Sequence, residues 1–198
     1  MIRFFDILFS LVGLILLLPF FLLISLLILF DSRGGVFYFQ WRVGRNNQDF
    51  RLIKFRTMQV NADKNGSLTV GVRDSRITRV GFWLRKYKLD ELPQLINVIF
   101  GEMSLVGPRP EIRQYVTLYN SQEMKVLSVK PGITDYASIE YINESEILGN
   151  STDPEKTYTE VVMPAKIELN MKFINCPTPG NYFAILIKTF AKILKRKK

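Results

Sequence analysis

The most marked pattern along the chain is one long apolar segment near its start. Residues 7–30 carry no charged side chain, and as a helix they would be about 36 Å long at 1.5 Å per residue. The hydrocarbon core of a bilayer is about 30 Å thick, so this length predicts a membrane helix. A helix buried in a soluble core is the alternative, although such helices are seldom apolar on every side over this length.

Pro19 lies near the middle of the apolar segment, where it removes one helical hydrogen bond and favours a kink. Hydropathy permits either a helix that crosses the bilayer or one that turns back. We favour a broken, re-entrant helix, because the twelve residues before Pro19 and the eleven after it would each be about 17 Å long and too short to cross. Cations follow closely after the segment, so the positive-inside rule places the C-terminal part in the cytoplasm.

Aromatic and β-branched residues then predict a β-hairpin, with strands at residues 36–43 and 50–58 and a turn at residues 44–47. Lys54 and Arg56 are two positions apart, so they share one face of the second strand. Two cations on one face form either a phosphate clamp or a solvated strand face. We weigh these two interpretations about equally.

Helical patterns account for much of the remaining chain. Thr78 is placed to cap a helix at residues 81–86, and Asp90 to cap a second helix that ends at Gly101. Residues 61–74 predict a loop, and Pro131 with Gly132 predicts a turn. Residues 182–198 combine helically spaced apolar residues with many cations and no acid. This pattern is typical of a basic helix on an anionic membrane surface, with a solvated terminal helix as the alternative.

These patterns predict a mainly α fold with a small β-hairpin (α+β). We expect three segments: a membrane anchor at residues 1–33, a domain at residues 34–150, and C-terminal helices at residues 151–198 that include the membrane-surface helix.

Composition narrows the chemistry. The net charge of +9 suits anionic lipid, phosphorylated substrates or nucleic acid, and the apolar anchor favours the first two. The chain has no histidine, which excludes Ser-His-Asp and Cys-His mechanisms and every histidine metal site. Cys176 is the single cysteine, so an intrachain disulfide is excluded. Any catalytic acid, base, nucleophile or metal ligand must therefore be a carboxylate, lysine, tyrosine, serine, threonine or Cys176.

Asp90 and Glu91 form an adjacent carboxylate pair at a predicted helix start. In most proteins such a pair is a cap followed by a first-turn acid, which stabilises the helix and has no chemical role. Here cations crowd residues 76–88 and Arg109 follows downstream. Carboxylates among cations favour a site where a phosphate and a divalent metal meet.

Three motifs resemble those of one known family. They are KFRTM at residues 54–58, KLDELPQLINVIFGEMSLVGPRPE at residues 88–111 and KPGIT at residues 130–134. With the apolar start they resemble the bacterial sugar transferases, the monotopic polyprenyl-phosphate phosphoglycosyl transferases, over residues 1 to about 135. The resemblance implies a monotopic protein with a re-entrant helix and surface-lying amphipathic helices. It also implies a catalytic domain on the cytoplasmic face of the bacterial inner membrane.

The resemblance further implies a reaction. A UDP-sugar donates sugar-1-phosphate to undecaprenyl phosphate, giving undecaprenyl-diphospho-sugar and UMP, through a covalent phosphosugar-aspartate and with Mg²⁺. By motif match Asp90 would be the nucleophile and Glu91 its partner at the metal, while Lys54 and Arg56 match a basic strand. The segment that the family associates with the nucleotide matches Pro108, Arg109 and Pro110.

Two other functions compete with the transferase. A non-enzymatic membrane scaffold could use the basic surface to bind anionic lipid or a protein partner, and it would give Asp90 and Glu91 no special role. A membrane-tethered nucleic-acid binder is disfavoured because no recognition motif stands out. The sequence leaves open the sugar, the glycan pathway, the residues after Thr134 that select the sugar, and the oligomeric state, a homo-oligomer included.

Overall fold

The fold is built along one long N-terminal helix. The computed structural model describes residues 1–62 and 74–195, so most of the predicted loop at 61–74 and the last three basic residues of the predicted terminal helix lie outside the described residues. The helices are α1 (Ile2–Asp31), α2 (Arg79–Lys86), α3 (Gln94–Phe100), α4 (Arg113–Val116), α5 (Tyr136–Glu140), α6 (Glu144–Gly149), α7 (Pro154–Thr157), α8 (Met163–Ile174) and α9 (Pro179–Lys195). The strands are β1 (Phe37–Val43), β2 (Asp49–Phe55), β3 (Ser104–Val106) and β4 (Gly132–Thr134).

Shorter turns join these elements. They are 3₁₀ turns at Arg45–Asn47, Leu89–Glu91 and Glu123–Ser128, and a π-helical turn at Tyr158–Val162 that leads into α8. The predicted mainly helical fold with a small sheet is confirmed.

Helix α1 contacts the rest of the protein at both ends. Near its start, Arg3 donates hydrogen bonds of 2.6 and 2.9 Å to the last carbonyls of α3. Asp6 is buried and accepts hydrogen bonds from Ser104 Oγ, the Leu105 amide and the Tyr182 hydroxyl, each at 2.9 Å. At its far end, Asp31 accepts a 2.9 Å hydrogen bond from the amide of Val80 in the first turn of α2.

Pro19 lies inside α1, which continues through it as one helix of 30 residues. The interruption expected at Pro19 is not present, because a proline removes only its own backbone hydrogen bond and leaves the following turns intact. By length and composition α1 is the one helix in the described part of the chain that could cross a membrane. The re-entrant course stays a prediction.

The predicted hairpin is confirmed. Strands β1 and β2 pair antiparallel, with Tyr38 opposite Lys54 and Arg42 opposite Phe50. The outer edge of β2 is covered by the carboxamide of Asn97, which accepts from the Ile53 amide at 3.0 Å and donates to the Arg51 carbonyl at 2.7 Å. A buried side chain thus substitutes for a third strand and ties α3 to the hairpin.

A second, parallel sheet was not predicted. Strands β3 and β4 pair through Ser104 with Gly132 and Val106 with Thr134, so Gly132 begins a strand and is not in a turn. The backbones at Gly107 and Gly132 touch: a Cβ on Gly132 would lie 2.1 Å from the Gly107 nitrogen. Two motifs far apart in the sequence therefore meet here, and glycine is needed because no side chain fits.

The main apolar core joins the ends of the chain. It contains Phe50 of β2, Val98 of α3, and Tyr182 and Ile185 of α9, and Ile2 of α1 packs against it. Residues from all three predicted segments thus share one core, which holds the strands and helices that carry the candidate site.

Candidate active site

One cleft of about 1580 Å³ collects most of the residues singled out from the sequence. We call one part of it the polar arm, defined by Arg42, Lys54, Asp90, Glu91, Arg109 and Glu144. We call the other part the apolar arm, defined by Phe9, Gly13, Leu17, Leu95, Leu105, Phe183, Leu186 and Phe190. Helix α3 connects the two arms, because it follows directly after the Asp90–Glu91 turn.

Asp90 is buried in the polar arm. It lies in the 3₁₀ turn Leu89–Glu91, entered through Lys88 in a left-handed conformation with φ of 58°. Its predicted role as a helix cap is wrong: α3 begins at Gln94, and the position three residues after Asp90 is Pro93, which has no amide hydrogen to donate. Among the described residues nothing bonds Asp90 Oδ1, which is buried. Burial, and then the charge of Glu91, raise the pKa of Asp90 above the usual carboxyl value.

Glu91 has the opposite electrostatic setting. Arg109 grips both carboxylate oxygens with both terminal nitrogens, one at 3.0 Å from Nη1 to Oε2. Burial alone would raise the pKa of Glu91, but the charge and hydrogen bonds of Arg109 lower it well below its usual range. The pKa of Asp90 is therefore raised and that of its neighbour Glu91 lowered: Glu91 is paired with Arg109, and Asp90 Oδ1 has no partner among the described residues.

Lys54 is the second cation beside Glu91. Its Nζ lies 4.0 Å from Glu91 Oε1, and 15% of its side chain is exposed. Burial, with smaller contributions from Arg109 and Arg42, lowers the pKa of Lys54 to about 7 despite the attraction of Glu91. Lys54 therefore loses its charge in the physiological range.

Arg56 lies beyond the end of β2 and is committed elsewhere. Its guanidinium donates to the carbonyls of Ser32 and Arg33, both at 2.8 Å, and so binds the chain just after α1. Gly34 follows with φ of +121°, and a Cβ there would lie 1.9 Å from Arg56 Nη1. The structure thus brings Lys54, but not Arg56, to the carboxylate pair. A phosphate-binding role for Arg56 stays a prediction.

The Pro108–Pro110 segment is held by the parallel sheet. The carbonyl of Pro108 accepts from the Gly132 amide at 2.9 Å, and the amide of Arg109 donates to Asp135 Oδ2 at 2.9 Å. Arg109 and Pro110 line the cleft, whereas Pro108 faces a separate small cavity. These bonds fix the backbone from which the Arg109 side chain reaches Glu91.

Sequence reasoning missed a network at the edge of the polar arm. Arg42 pairs with Glu111 at 3.2 Å and donates to the Pro110 carbonyl at 3.1 Å, and the Tyr158 hydroxyl donates to Glu111. The signal was the strand period, since Arg42, Gln40 and Tyr38 alternate along β1 on the face that carries Lys54. Beyond them, Lys166 pairs with Glu144 at 2.8 Å.

The described residues include no group of three or more potential metal-ligating side chains. Mg²⁺, however, is commonly held by one or two carboxylates together with substrate phosphates. Asp90 Oδ1 fits that role as a buried hard oxygen without a partner. Glu91 fits less directly, because both of its oxygens are bonded to Arg109.

Comparison with known proteins assigns the family. The family model of the bacterial sugar transferases matches residues 1–196. The chain belongs to this bacterial sugar transferase family. The family named from the motifs is thus confirmed.

Several curated relatives are similar to this bacterial sugar transferase. The exopolysaccharide production protein ExoY of Sinorhizobium fredii is 43% identical over 147 residues, covering 67% of this chain and 65% of the relative. The UDP-N-acetylgalactosamine-undecaprenyl-phosphate N-acetylgalactosaminephosphotransferase of Aeromonas hydrophila is 42% identical over 137 residues, covering 68% and 32%. The UDP-glucose:undecaprenyl-phosphate glucose-1-phosphate transferase of Xanthomonas campestris is 42% identical over 125 residues, covering 61% and 26%. The chain thus spans between about a quarter and two thirds of these relatives.

Proposed function

We propose that this protein transfers sugar-1-phosphate from a UDP-sugar to undecaprenyl phosphate, as the first membrane step of a bacterial surface glycan pathway. The observation that carries the proposal is the setting of Asp90, whose buried Oδ1 has no hydrogen-bond partner among the described residues and lies beside the Glu91–Arg109 pair and Lys54. A buried carboxylate oxygen without a hydrogen bond is costly, which suggests that substrate or metal completes it. The names of the relatives from Aeromonas and Xanthomonas support this class of donor and acceptor.

The proposed reaction has two displacements at one phosphorus. Asp90 Oδ1 attacks the sugar-bearing phosphorus of the donor, a bond to phosphorus forms, and the bond to UMP breaks with its electron pair leaving on the UMP oxygen. A phosphate oxygen of undecaprenyl phosphate then attacks the same phosphorus and displaces Asp90. The products are UMP and undecaprenyl-diphospho-sugar, and Asp90 is regenerated. Because the donor and the acceptor react at the same site one after the other, a water-soluble donor and a lipid acceptor need not be bound at the same time.

The neighbouring charges suit this chemistry. A diphosphate repels a free carboxylate, so cations must offset both charges before Asp90 can approach. Lys54 and Arg109 supply two cations, and Arg109 can exchange Glu91 for phosphate because its planar fork binds either group in a bidentate way. Mg²⁺, bound by Asp90 and Glu91 with the diphosphate, would supply further neutralisation of the developing charge.

We also propose that the protein is monotopic, with both ends of α1 on the cytoplasmic face. In its support, α1 contacts one polar domain from Arg3 to Asp31, and such a domain cannot enter the hydrocarbon core. The opposite side of α1 exposes large apolar residues, among them Ile15 at 64% and Leu16 at 69%. A helix that dips into one leaflet would bury that side and leave the domain at headgroup depth.

An introduced cysteine tests the topology. Ile2→Cys is made in a Cys176→Ser background and treated in spheroplasts with a membrane-impermeant maleimide. We expect protection until the cells are lysed. Labelling from the periplasmic side in intact spheroplasts would mean that α1 spans the membrane.

The activity is tested by UMP release from a panel of UDP-sugars with undecaprenyl phosphate and Mg²⁺. Asp90→Asn should abolish release and leave the fold intact, since Oδ1 bonds no described residue and an amide is a poor nucleophile. Asp153→Asn is the matched control, because Asp153 caps α7 outside the cleft. The parent protein with donor alone should show a phosphosugar adduct by intact mass, and EDTA should stop turnover until Mg²⁺ is restored. Full activity of Asp90→Asn would refute the nucleophile, and no release from any donor would favour a scaffold.

A further inference from the structure

The apolar arm of the cleft is bounded by two facing helix stripes. On α1, Phe9, Gly13 and Leu17 follow one another at intervals of four residues, so they lie in one row along the helix. On α9, Leu186 and Phe190 have the same spacing and line the same cleft. The two stripes belong to the first and last helices of the chain.

The stripes meet at an aromatic contact, and beyond it both line the apolar arm. Phe183 of α9 packs against Phe5 and Phe9 of α1, with ring centroids 5.1 and 6.3 Å apart. Further along, Gly13 contributes no side chain, and the nearest neighbour of a Cβ built there would be Leu95 Cδ1 at 3.3 Å. An ordinary residue at position 13 would press against Leu95, so glycine lets α1 approach α3 closely at the wall of the cleft.

This apolar space leads to the reactive carboxylate. Leu92 and Leu95 line the cleft just after Asp90 in the chain, and Lys54 and Arg109 stand at the polar end. A single ligand with an apolar tail and an anionic head matches that order of surfaces. From Phe9 to Leu17 the α1 stripe is about 12 Å long at 1.5 Å per residue, which suits the start of a long hydrocarbon chain but not its whole length.

We propose that the apolar arm binds the first isoprene units of the acceptor's prenyl chain, which places the acceptor phosphate at Asp90. This inference rests on the proposed function and names where its lipid substrate lies. A membrane phospholipid could touch the same stripes, but its phosphate carries a second ester and cannot become the diphosphate product. A prenyl phosphate uses both arms at once, because its hydrocarbon chain fits the apolar arm while its terminal phosphate reacts in the polar arm.

Gly13→Leu tests the proposal by adding a bulky side chain at the wall of the arm, beside Leu95. Initial rates of UMP release are measured in detergent micelles while undecaprenyl phosphate, farnesyl phosphate and the donor are varied separately. We expect the KM for both prenyl phosphates to rise about tenfold or more, the range for one misfit in an apolar pocket, with the donor KM unchanged. Val12→Leu is the matched control, since Val12 is 45% exposed on α1 and does not line the cleft.

A second variant approaches from the opposite wall, so the test survives if Gly13→Leu fails to fold. Leu186→Trp should raise the acceptor KM in the same way, and Ala191→Trp, at an exposed position of α9 outside the cleft, should not. Unchanged acceptor KM in the folded filling variants of an active parent would overturn the proposal. Equal increases for donor and acceptor would overturn it as well. An inactive parent would instead refute the proposed function.

Discussion

Replacing Lys54 by arginine should change how activity depends on pH. Lys54 is the cation beside Glu91 whose pKa burial lowers to about 7. If protonated Lys54 helps to bind the donor diphosphate, kcat/KM for the donor must fall as pH rises through that value, because kcat/KM reports ionisations of the free enzyme. An arginine keeps its charge over the whole accessible range, so Lys54→Arg should lack this loss.

The size of the effect follows from the shift of the Lys54 pKa from 10.5 to about 7. At one pH unit above its pKa only about a tenth of a group is protonated, so the parent should lose about tenfold in kcat/KM per unit between pH 7 and 9. Asp90 has the opposite effect on the acid side. Its pKa is raised, and as pH falls its nucleophilic carboxylate becomes protonated, so the rate falls too. The parent should therefore show a bell, and Lys54→Arg only its acid limb.

The assay is UMP release at limiting donor from pH 5 to 9, at constant ionic strength. Lys130→Arg is the matched control, since burial also lowers the pKa of Lys130 but this residue does not line the cleft. It should keep the bell of the parent. If Lys54→Arg lost activity above pH 7 in parallel with the parent, the alkaline limb would belong to another group and the role given to Lys54 would be wrong.

Four further substitutions probe stability by thermal unfolding. Arg109→Ala should cost about 3–5 kcal/mol, because the buried Glu91 carboxylate loses both hydrogen bonds from Arg109 and keeps Lys54 at 4.0 Å. Adding Glu91→Ala should recover part of this stability without restoring activity; an additive loss would contradict this. Asn97→Ala should cost about 1–3 kcal/mol, since two β2 backbone groups lose their partner, and no loss would mean that water replaces it. Asp6→Ala should cost at least as much stability as Asn97→Ala, since three buried donors lose the carboxylate oxygen that accepts from them. A smaller loss of stability than that of Asn97→Ala would refute this. Lys54→Met should raise Tm more at pH 6 than at pH 9. Lys54 has a pKa of about 7 when folded and 10.5 when unfolded, so its buried charge destabilises the fold fully below pH 7 and progressively less as pH rises. Equal gains in Tm at the two pH values would refute this linkage.

Much of the local structure followed from the sequence because its causes are local. The hairpin was readable from strand-forming residues and the turn at residues 44–47, and Thr78 caps α2 by accepting from the Gly81 amide at 3.0 Å as predicted. Gly101 ends α3 with φ of 87°, a conformation that favours glycine. The motif at residues 88–111 was specific enough to identify the family.

The site itself depends on contacts between residues far apart in the chain. Only the tertiary structure showed that Arg109 binds Glu91 while Asp90 Oδ1 has no partner in the described part of the chain. It also showed that Arg56 binds the chain just after α1 and that Asn97 covers the edge of β2. Each of these hydrogen bonds joins residues that are 18 to 46 positions apart in the sequence. Hydrophobic periodicity carries no information on which distant polar groups meet.

Helix α1 shows most clearly which properties the sequence determined and which the tertiary structure determined. Its length and apolar character were determined by the sequence alone, since 24 consecutive residues without charge predict a membrane helix. That both of its ends bind the same domain was decided by folding, because Asp6 could find Ser104 and Tyr182 only once the sheet and α9 had packed. A buried carboxylate needs such donors, and they come from elements that the local pattern around Asp6 does not encode.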